Sequence, residues 1–99
     1  MISIKQAEKN DFHRLEEISV VSMSEPWHEA DFLSAEKNEF AVILEAVSDG
    51  DPVGYAVGYF AADESELPSI AVSPDCRRLG AGDALLSALF DEVRSHGAA

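Results

Sequence analysis

Two apolar runs that flank a tight turn constrain the fold of this chain more than any other feature. The runs are Phe40–Val47 and Val53–Phe60, and the turn between them contains Asp49-Gly50. An Asp-Gly pair between two such runs is the strongest short-range signal of a β-hairpin. The first run is almost continuously apolar, which is typical of a strand covered on both faces. We therefore expect an antiparallel hairpin at the centre of the fold, with Gly54 and Gly58 marking bulges or close backbone approach.

Shorter patterns before and after the hairpin predict the other elements. In chain order these are a strand at Ile2–Lys5, a helix capped by Asn10 or Asp11, a loop around Pro26-Trp27, a short helix at Glu29–Ser34, the hairpin, a polar connector at Asp63–Glu66, a strand at Leu67–Val72 and a helix that begins at Asp83. Pro68 removes one donor from the fourth strand, which favours an edge position or a bulge. The order β-α-α-β-β-β-α predicts an α/β (α+β) fold with a mostly antiparallel sheet flanked by helices.

Length and charge limit the domain count and the classes of partner. The chain has 99 residues, so we expect residues 1–99 to form one domain at most. It carries 7 basic and 19 acidic side chains, which gives a net charge of −12. Such a charge repels nucleic-acid backbones and anionic membranes and favours cationic partners, so we expect no nucleic acid and no membrane among them. No run is apolar enough for a signal peptide or a membrane span, which predicts a cytoplasmic protein.

Cysteine and histidine give no indication of a disulfide or a metal site. Cys76 is the only cysteine, so the chain holds no second cysteine for a disulfide. His13, His28 and His96 lack the spacing of zinc ligands or of a proton relay. The sequence therefore predicts no metal cofactor and no nucleophile that pairs Cys76 with a histidine.

One segment, Ser73–Asp83, combines two glycines with the only adjacent Lys/Arg pair of the chain, Arg77-Arg78. It lies between the fourth predicted strand and the last predicted helix. Gly80 and Gly82 would let the backbone approach a pyrophosphate at the N-terminus of that helix. A glycine-rich turn with an arginine-capped loop explains the same residues, because short glycine motifs also match by chance. On this segment alone, a phosphate site and a structural turn are equal alternatives.

The segment resembles motif A of the GNAT acetyltransferases, whose pattern is Arg/Gln-x-x-Gly-x-Gly/Ala. The pattern stands here as Arg77-Arg78-Leu79-Gly80-Ala81-Gly82, and Ile70–Asp75 precedes it. The predicted element order also matches the first half of that family, so the resemblance covers essentially the whole chain. Pro26-Trp27 and the acidic run before Leu67 resemble, in addition, the subgroup of ribosomal-protein-alanine N-acetyltransferases.

The resemblance implies that the chain binds acetyl-CoA as the co-substrate of an N-acetyltransferase. The implied cofactor-binding residues are Ile70, Ala71 and Val72, whose backbone pairs with the pantetheine arm, and Arg77, Arg78, Leu79, Gly80, Ala81, Gly82 and Asp83, which hold the pyrophosphate. Asp83 departs from expectation, because its carboxylate would face phosphate charge. As a first-turn residue it stabilises the helix, and this structural role is the better interpretation of Asp83.

The acceptor implied by the resemblance is an amine, with the N-terminal amine of a protein such as a ribosomal protein as the first candidate. Trp27, Glu64 and Glu66 are the candidate substrate-binding residues. Each has a structural alternative, since Trp27 would fasten a loop to the core and the glutamates would belong to a solvated connector. Tyr55 and Tyr59 are expected to pack within or on the sheet. The alternative functions are a small-molecule amine acetyltransferase and a non-catalytic acyl-CoA-binding or interaction module.

A complete domain of this family is longer, and its later elements carry the catalytic base and the tyrosine that protonates the departing thiolate. We therefore expect residues 1–99 to be a truncated domain that is inactive alone, with the catalytic residues beyond Ala99. Without a fifth strand, the edge at Leu67–Val72 would pair with another chain. The last helix would also expose apolar side chains, namely Leu85, Leu86, Leu89, Phe90 and Val93. The resulting prediction is self-association, as a two-fold homodimer.

Overall fold

The computed structural model describes residues 2–61 and 64–95, without the side chains of residues 61, 64–66, 77 and 78. The strands are β1 (Ile2–Gln6), β2 (Ala41–Ser48), β3 (Asp51–Ala61) and β4 (Glu64–Val72), and the helices are α1 (Phe12–Ser22), α2 (Glu29–Glu36) and α3 (Ala81–Ser95). Short 3₁₀ helices cover Lys9–Asp11 and Pro74–Leu79. The order β-α-α-β-β-β-α and the α/β fold class expected from the sequence are confirmed. Within the described residues, no helix has the length and apolar character needed to cross a membrane.

The four strands form one antiparallel sheet in the order β1-β2-β3-β4. The predicted hairpin is its centre, where Ser48 pairs with Asp51 and two residues connect them. These two, Asp49 and Gly50, have positive φ angles of 53° and 82°, as a two-residue type I′ turn requires. β2 is buried along Val42–Ala46, because helices cover both faces of the sheet.

The core has two layers, one on each face of the sheet. On one face α3 covers a cluster of Val42, Leu44, Ala46, Val53, Ala56, Phe60, Ala81, Leu85, Leu89 and Val93. On the opposite face α1 and α2 cover a cluster of Phe12, Leu15, Ile18, Phe32, Ala35, Ile43, Tyr55, Val57 and Ala71. Because successive side chains of a strand point to opposite faces, neighbouring residues of β2 and β4 contribute to different layers.

α3 buries more of its apolar side chains than the sequence predicts. Leu85, Leu89 and Val93 are 0%, 3% and 7% exposed, so the expectation that they are exposed is wrong. Their row along the helix faces the sheet and belongs to its core layer. Phe90 lies on another side of the helix and is exposed, as predicted, whereas Leu86 is only partly exposed.

The predicted starts of β4 and α3 are also wrong. β4 begins at Glu64 and not at Leu67, so Glu64 and Glu66, expected in a connector, are strand residues that pair with the end of β3. Asp63, the first residue of that predicted connector, lies outside the described residues. α3 begins at Ala81 and not at Asp83. Gly80 adopts the left-handed conformation, with φ of 78°, and the helix follows it directly, because Gly82 is tolerated in the first turn.

Pro68 lies in a bulge on the last strand of the described sheet. Val57 pairs with Ser69 and Tyr59 with Glu66, so both Leu67 and Pro68 lie opposite the single residue between Val57 and Tyr59. Two residues opposite one define a β-bulge, in which a missing backbone donor costs no ladder hydrogen bond. The prediction of an edge or bulge position for Pro68 is therefore confirmed for the described residues.

Gly58 permits close contact between β3 and α3, and alanine at this position should destabilise the chain. A Cβ atom at Gly58 would lie 2.9 Å from Leu89 Cδ1, so α3 or the leucine would have to move. We expect Gly58→Ala to lower the free energy of unfolding by about 1–3 kcal/mol, measured by urea denaturation. Gly82→Ala is the matched control, because its Cβ would lie 3.9 Å from Val72 Cγ2. Equal stability of Gly58→Ala and the parent chain would contradict the tight contact.

Glu45 is a buried carboxyl in the middle of β2. Its side chain is 0% exposed, with Lys5 Nζ 3.9 Å from Oε1. Neither oxygen has a hydrogen-bond partner among the described residues. Burial, and after it the nearby acidic side chain of Asp11, raises the pKa of Glu45 to about 8, while Lys5 opposes this shift only in part. Glu45 is therefore largely protonated and neutral at pH 7.

Candidate functional site

The N-terminus of α3 presents backbone donors at the end of the predicted motif. Gly80 has a left-handed φ of 78° and its carbonyl accepts a hydrogen bond from the N–H of Ala84 at 3.1 Å. The N–H groups of Ala81, Gly82 and Asp83 come before this bond, and the first N–H groups of a helix have no acceptor within the helix. Together with the positive end of the helix dipole, they form an end suited to an anion.

A cavity of about 360 Å³ lies between this helix end and the edge of the sheet. It is lined by Ser22 of α1, by Ile70, Ala71 and Val72 of β4, and by Gly82 of α3. Among the described residues, a Cβ atom on Gly82 would come near Val72 Cγ2, at 3.9 Å, so it would project towards the cavity without a clash. The residues predicted to bind pantetheine and a glycine predicted to bind pyrophosphate therefore share one cavity. An extended strand edge beside a helix N-terminus fits an acyl-CoA, which has amide groups in its arm and charge on its diphosphate.

β4 presents its outer edge on the side of this cavity. It is the last strand in the order of the described sheet, and an extended ligand can add to such an edge through main-chain hydrogen bonds. The hydroxyl of Ser22 donates to the carbonyl of Val72 at 3.2 Å, across 50 residues of sequence. Sequence reasoning missed Ser22, because no local motif contains it and only the packing of α1 on β4 brings it to the cavity.

The charged residues of the motif differ in how far the structure describes them. The backbone of Arg77 and Arg78 lies in the 3₁₀ helix before Gly80, but their side chains lie outside the described part of the chain. Their contact with a pyrophosphate therefore stays a prediction. Leu79, beside them, is exposed. Asp83 is exposed in the first turn of α3, where an acidic side chain stabilises the helix dipole.

Trp27 fastens the loop between α1 and α2 to the core. Its ring packs edge-on against Phe32, with centroids 5.2 Å apart, and its backbone N–H donates to Ser19 Oγ at 2.7 Å. The structural alternative for Trp27 thus has direct contacts, while acceptor binding by its exposed part stays a prediction. Glu64 and Glu66 are strand residues whose side chains lie outside the described residues, so their acceptor role also stays a prediction.

α1 and α2 bring together three potential metal ligands that the sequence did not reveal, since one of them lies on a different helix. Ligand atoms of His13, Glu16 and Glu29 all lie within 4.8 Å of one another. Glu16 Oε2 also lies 2.8 Å from Nδ1 of His28, and this hydrogen bond lowers the pKa of Glu16 below its usual value. Exposed acidic groups commonly gather without an ion, so we assign no metal to this cluster.

Comparison with known families agrees with the geometry of the cavity and helix end. The model described as the acetyltransferase (GNAT) family matches residues 5–99. The chain belongs to the GNAT acetyltransferase family. The resemblance carried by motif A, from Arg77 to Gly82, is therefore confirmed.

Relatives of this GNAT chain indicate its subgroup. The ribosomal protein bS18-alanine N-acetyltransferase of Escherichia coli (strain K12) is 31% identical over 99 residues, which is 100% of this chain and 66% of the relative. The crystal structure of the ribosomal-protein-S18-alanine N-acetyltransferase from Escherichia coli has a TM-score of 0.86 and 32% identity, and the match covers 98% of this chain and 62% of that one. The chain spans slightly less than two thirds of the length of these relatives.

A more distant GNAT structure shares only the fold. The PaiA N-acetyltransferase from Thermoplasma acidophilum, crystallised in complex with coenzyme A, has a TM-score of 0.82 at 18% identity. The match covers 98% of this chain and 74% of that one. The arrangement of sheet and helices therefore persists where most side chains differ.

Proposed function

We propose that this chain forms the acetyl-CoA-binding part of an N-acetyltransferase. The observation that carries the proposal is the cavity between the edge of β4 and the N-terminus of α3. In it, the backbone of Ile70–Val72 pairs with the pantetheine arm, while the amides of Gly80–Gly82 and the two arginines before them bind the diphosphate. The coenzyme A complex of PaiA, which shares the fold, supports the use of an acyl-CoA.

The proposed reaction is direct transfer of an acetyl group from sulfur to nitrogen. A neutral amine attacks the thioester carbonyl, a C–N bond forms, and the C–S bond breaks. The amine loses one proton, and the thiolate of coenzyme A gains one. Holding both substrates in attack geometry supplies much of the rate in such a reaction.

The proposed acceptor is the N-terminal amine of a protein, and a basic protein in particular. Two observations support it: the related enzymes of Escherichia coli are named for the alanine of a ribosomal protein, and this chain carries a net charge of −12, which attracts cationic partners. Trp27, Glu64 and Glu66 are the proposed contacts. The proposed compartment is the cytoplasm, where a lone thiol such as Cys76 stays reduced.

The function is tested by incubating the full-length protein with acetyl-CoA and candidate N-terminal peptides, followed by mass spectrometry. We expect acetylation at the α-amine of a basic peptide beginning with alanine. A matched peptide whose α-amine is already blocked is the control. If only small amines are acetylated, the acceptor is a small molecule and not a protein. If acetyl-CoA binds but no amine is acetylated, the protein is a non-catalytic acyl-CoA-binding module.

The helix end should bind an oxyanion even though the chain is strongly acidic. We expect crystals grown with sulfate or coenzyme A to show an anion within hydrogen-bond distance of the backbone N–H groups of Gly80–Gly82, because the local dipole and arginines outweigh the distant negative charge. An empty helix end at high sulfate concentration would contradict the phosphate assignment.

The outer edge of β4 is also the surface through which we propose that the 99-residue chain self-associates. Pairing of two chains and pairing with pantetheine would use the same backbone groups, so acetyl-CoA should weaken the association. Sedimentation equilibrium at tens of micromolar chain, with and without acetyl-CoA, measures this. A monomer at every concentration would refute self-association, and a dimer unaffected by acetyl-CoA would place its interface elsewhere.

A further inference from the structure

A buried polar cluster connects α1, β3 and β4 on the face of the sheet opposite α3. Its three hydroxyl-bearing residues, Ser19, Tyr55 and Ser69, are 0%, 0% and 3% exposed. Tyr55 Oη lies 2.9 Å from Ser19 Oγ and 2.7 Å from Ser69 Oγ. The sulfur of Met23 is the fourth member, 3.5 Å from Ser19 Oγ and 3.4 Å from Tyr55 Oη.

One assignment of protons satisfies the shortest contacts of this hydroxyl cluster. Ser69 donates to Tyr55, Tyr55 donates to Ser19, and Ser19 donates to the sulfur of Met23. Ser19 Oγ then accepts two hydrogen bonds, one from Tyr55 and one from the backbone N–H of Trp27 at 2.7 Å. A serine hydroxyl has two lone pairs, so Ser19 is saturated. Removal of the Ser19 hydroxyl leaves the backbone N–H of Trp27 without its acceptor. Removal of the Tyr55 hydroxyl breaks the link between Ser19 and Ser69, whose hydroxyl then has the sulfur of Met23 at 3.6 Å. The cluster therefore acts as a unit.

The cluster joins the two sides of the proposed reaction site. At one end, Ser69 immediately precedes Ile70, the first of the three β4 residues that line the cavity. At the other end, Ser19 holds the backbone of Trp27, in the loop between α1 and α2. Hydrogen bonds through Tyr55 therefore link the backbone of Trp27 to β4. The sulfur of Met23, which contacts Tyr55 and Ser69, and the Trp27 ring on Phe32 are further attachments of the same loop.

We propose that Ser19, Tyr55 and Ser69 are positioning residues that set the acceptor side of the site, given the acetyl transfer proposed above, on which this role depends. Among the described residues, no hydrogen bond of the hydroxyl cluster reaches α3, which covers the opposite face of the sheet. Loss of the cluster therefore shifts the loop that carries Trp27 and leaves the diphosphate end of the cavity intact. Loss of the cluster should therefore weaken binding of the acceptor without weakening binding of acetyl-CoA.

Kinetics of the full-length protein test this separation. We expect Ser19→Ala and Tyr55→Phe each to raise the KM for the acceptor peptide about tenfold, because each breaks the link between the Trp27 loop and β4, while the affinity for acetyl-CoA changes less than about twofold. Ser87→Ala, on the exposed face of α3, and Tyr59→Phe, on the same strand as Tyr55, are matched controls. Because the cluster acts as a unit, the double variant should be no worse than Ser19→Ala. Additive effects, or an equal loss of acetyl-CoA affinity, would overturn the proposal.

Tryptophan fluorescence of the 99-residue chain tests the attachment of the loop without an enzymatic assay. Trp27 is the only tryptophan of the chain, so its emission reports the loop directly. We expect Ser19→Ala to shift the emission to longer wavelength and to increase quenching by acrylamide, with circular dichroism unchanged, and Tyr55→Phe to do the same to a smaller extent. Unchanged quenching in both folded variants would refute the attachment. If the parent protein instead shows no acetyl transfer while the fluorescence responds as expected, the proposed function fails and the loop attachment stands.

Discussion

Raising the pH from about 5 to about 9 should cost this chain about 3–5 kcal/mol of folding stability through Glu45 alone. The pKa of the Glu45 carboxyl is about 8 in the fold and 4.5 as its ordinary value. Between these two values the unfolded chain is ionised and the folded chain is protonated, so unfolding releases a proton. Stability contributed by the neutral carboxyl is therefore present below pH 4.5 and is lost as the pH rises to about 8. Above that pH both states are ionised and the dependence from this group ends.

Urea denaturation across this pH range measures the effect in the parent chain and in Glu45→Gln. Glutamine keeps the shape of the side chain and does not titrate. We therefore expect the stability of the variant to fall much less with rising pH and to exceed that of the parent at high pH. Glu36→Gln, at an exposed position of α2, is the control for the same change of side chain at the surface. Parallel pH profiles of Glu45→Gln and the parent would show that the buried carboxyl does not titrate in this range.

A tryptophan at Gly82 should reduce acetyl-CoA affinity roughly 100-fold or more, because an indole there would fill the space between β4 and α3. The cavity has a volume of about 360 Å³, and a Cβ at Gly82 has space towards it. Isothermal titration calorimetry of the full-length protein measures the loss. Two variants serve as controls: Gly82→Ala should bind within a few-fold of the parent, and Gly50→Asn changes a glycine in the remote hairpin turn at a φ that asparagine tolerates. If a folded Gly82→Trp variant still binds acetyl-CoA with the affinity of the parent, acetyl-CoA does not bind in this cavity.

The parts of the fold that local sequence determines were predictable. The Asp49-Gly50 turn demands positive φ angles at both positions, and the structure has them, so the hairpin and the antiparallel sheet followed from two residues and their apolar flanks. The same holds for the helix end at Gly80, since the whole motif lies within one short segment. The start of the helix was predicted wrongly at Asp83 and lies at Ala81, because Gly82 is tolerated in the first turn.

Features created by packing between distant segments were not predictable. Ser22 reaches the carbonyl of Val72 across 50 residues, and Ser19 meets Tyr55 across 36. Neither serine stands out in its helix, because a polar residue at a helical position is ordinary until a partner strand is placed beside it. Glu45 is a further case, since its position within an apolar run indicated burial but not that its carboxyl would lack hydrogen-bond partners among the described residues. These are the features on which acceptor positioning and pH dependence rest.

Four of the five residues that line the cavity, Ile70–Val72 and Gly82, come from one part of the sequence, in which the 3₁₀ helix connects β4 to α3. The fifth, Ser22, comes from the end of α1, a separate part of the sequence that leads into the loop with Trp27. Under the proposed function, a mutation in the earlier segment would therefore alter acceptor binding and leave the residues proposed to bind acetyl-CoA unchanged.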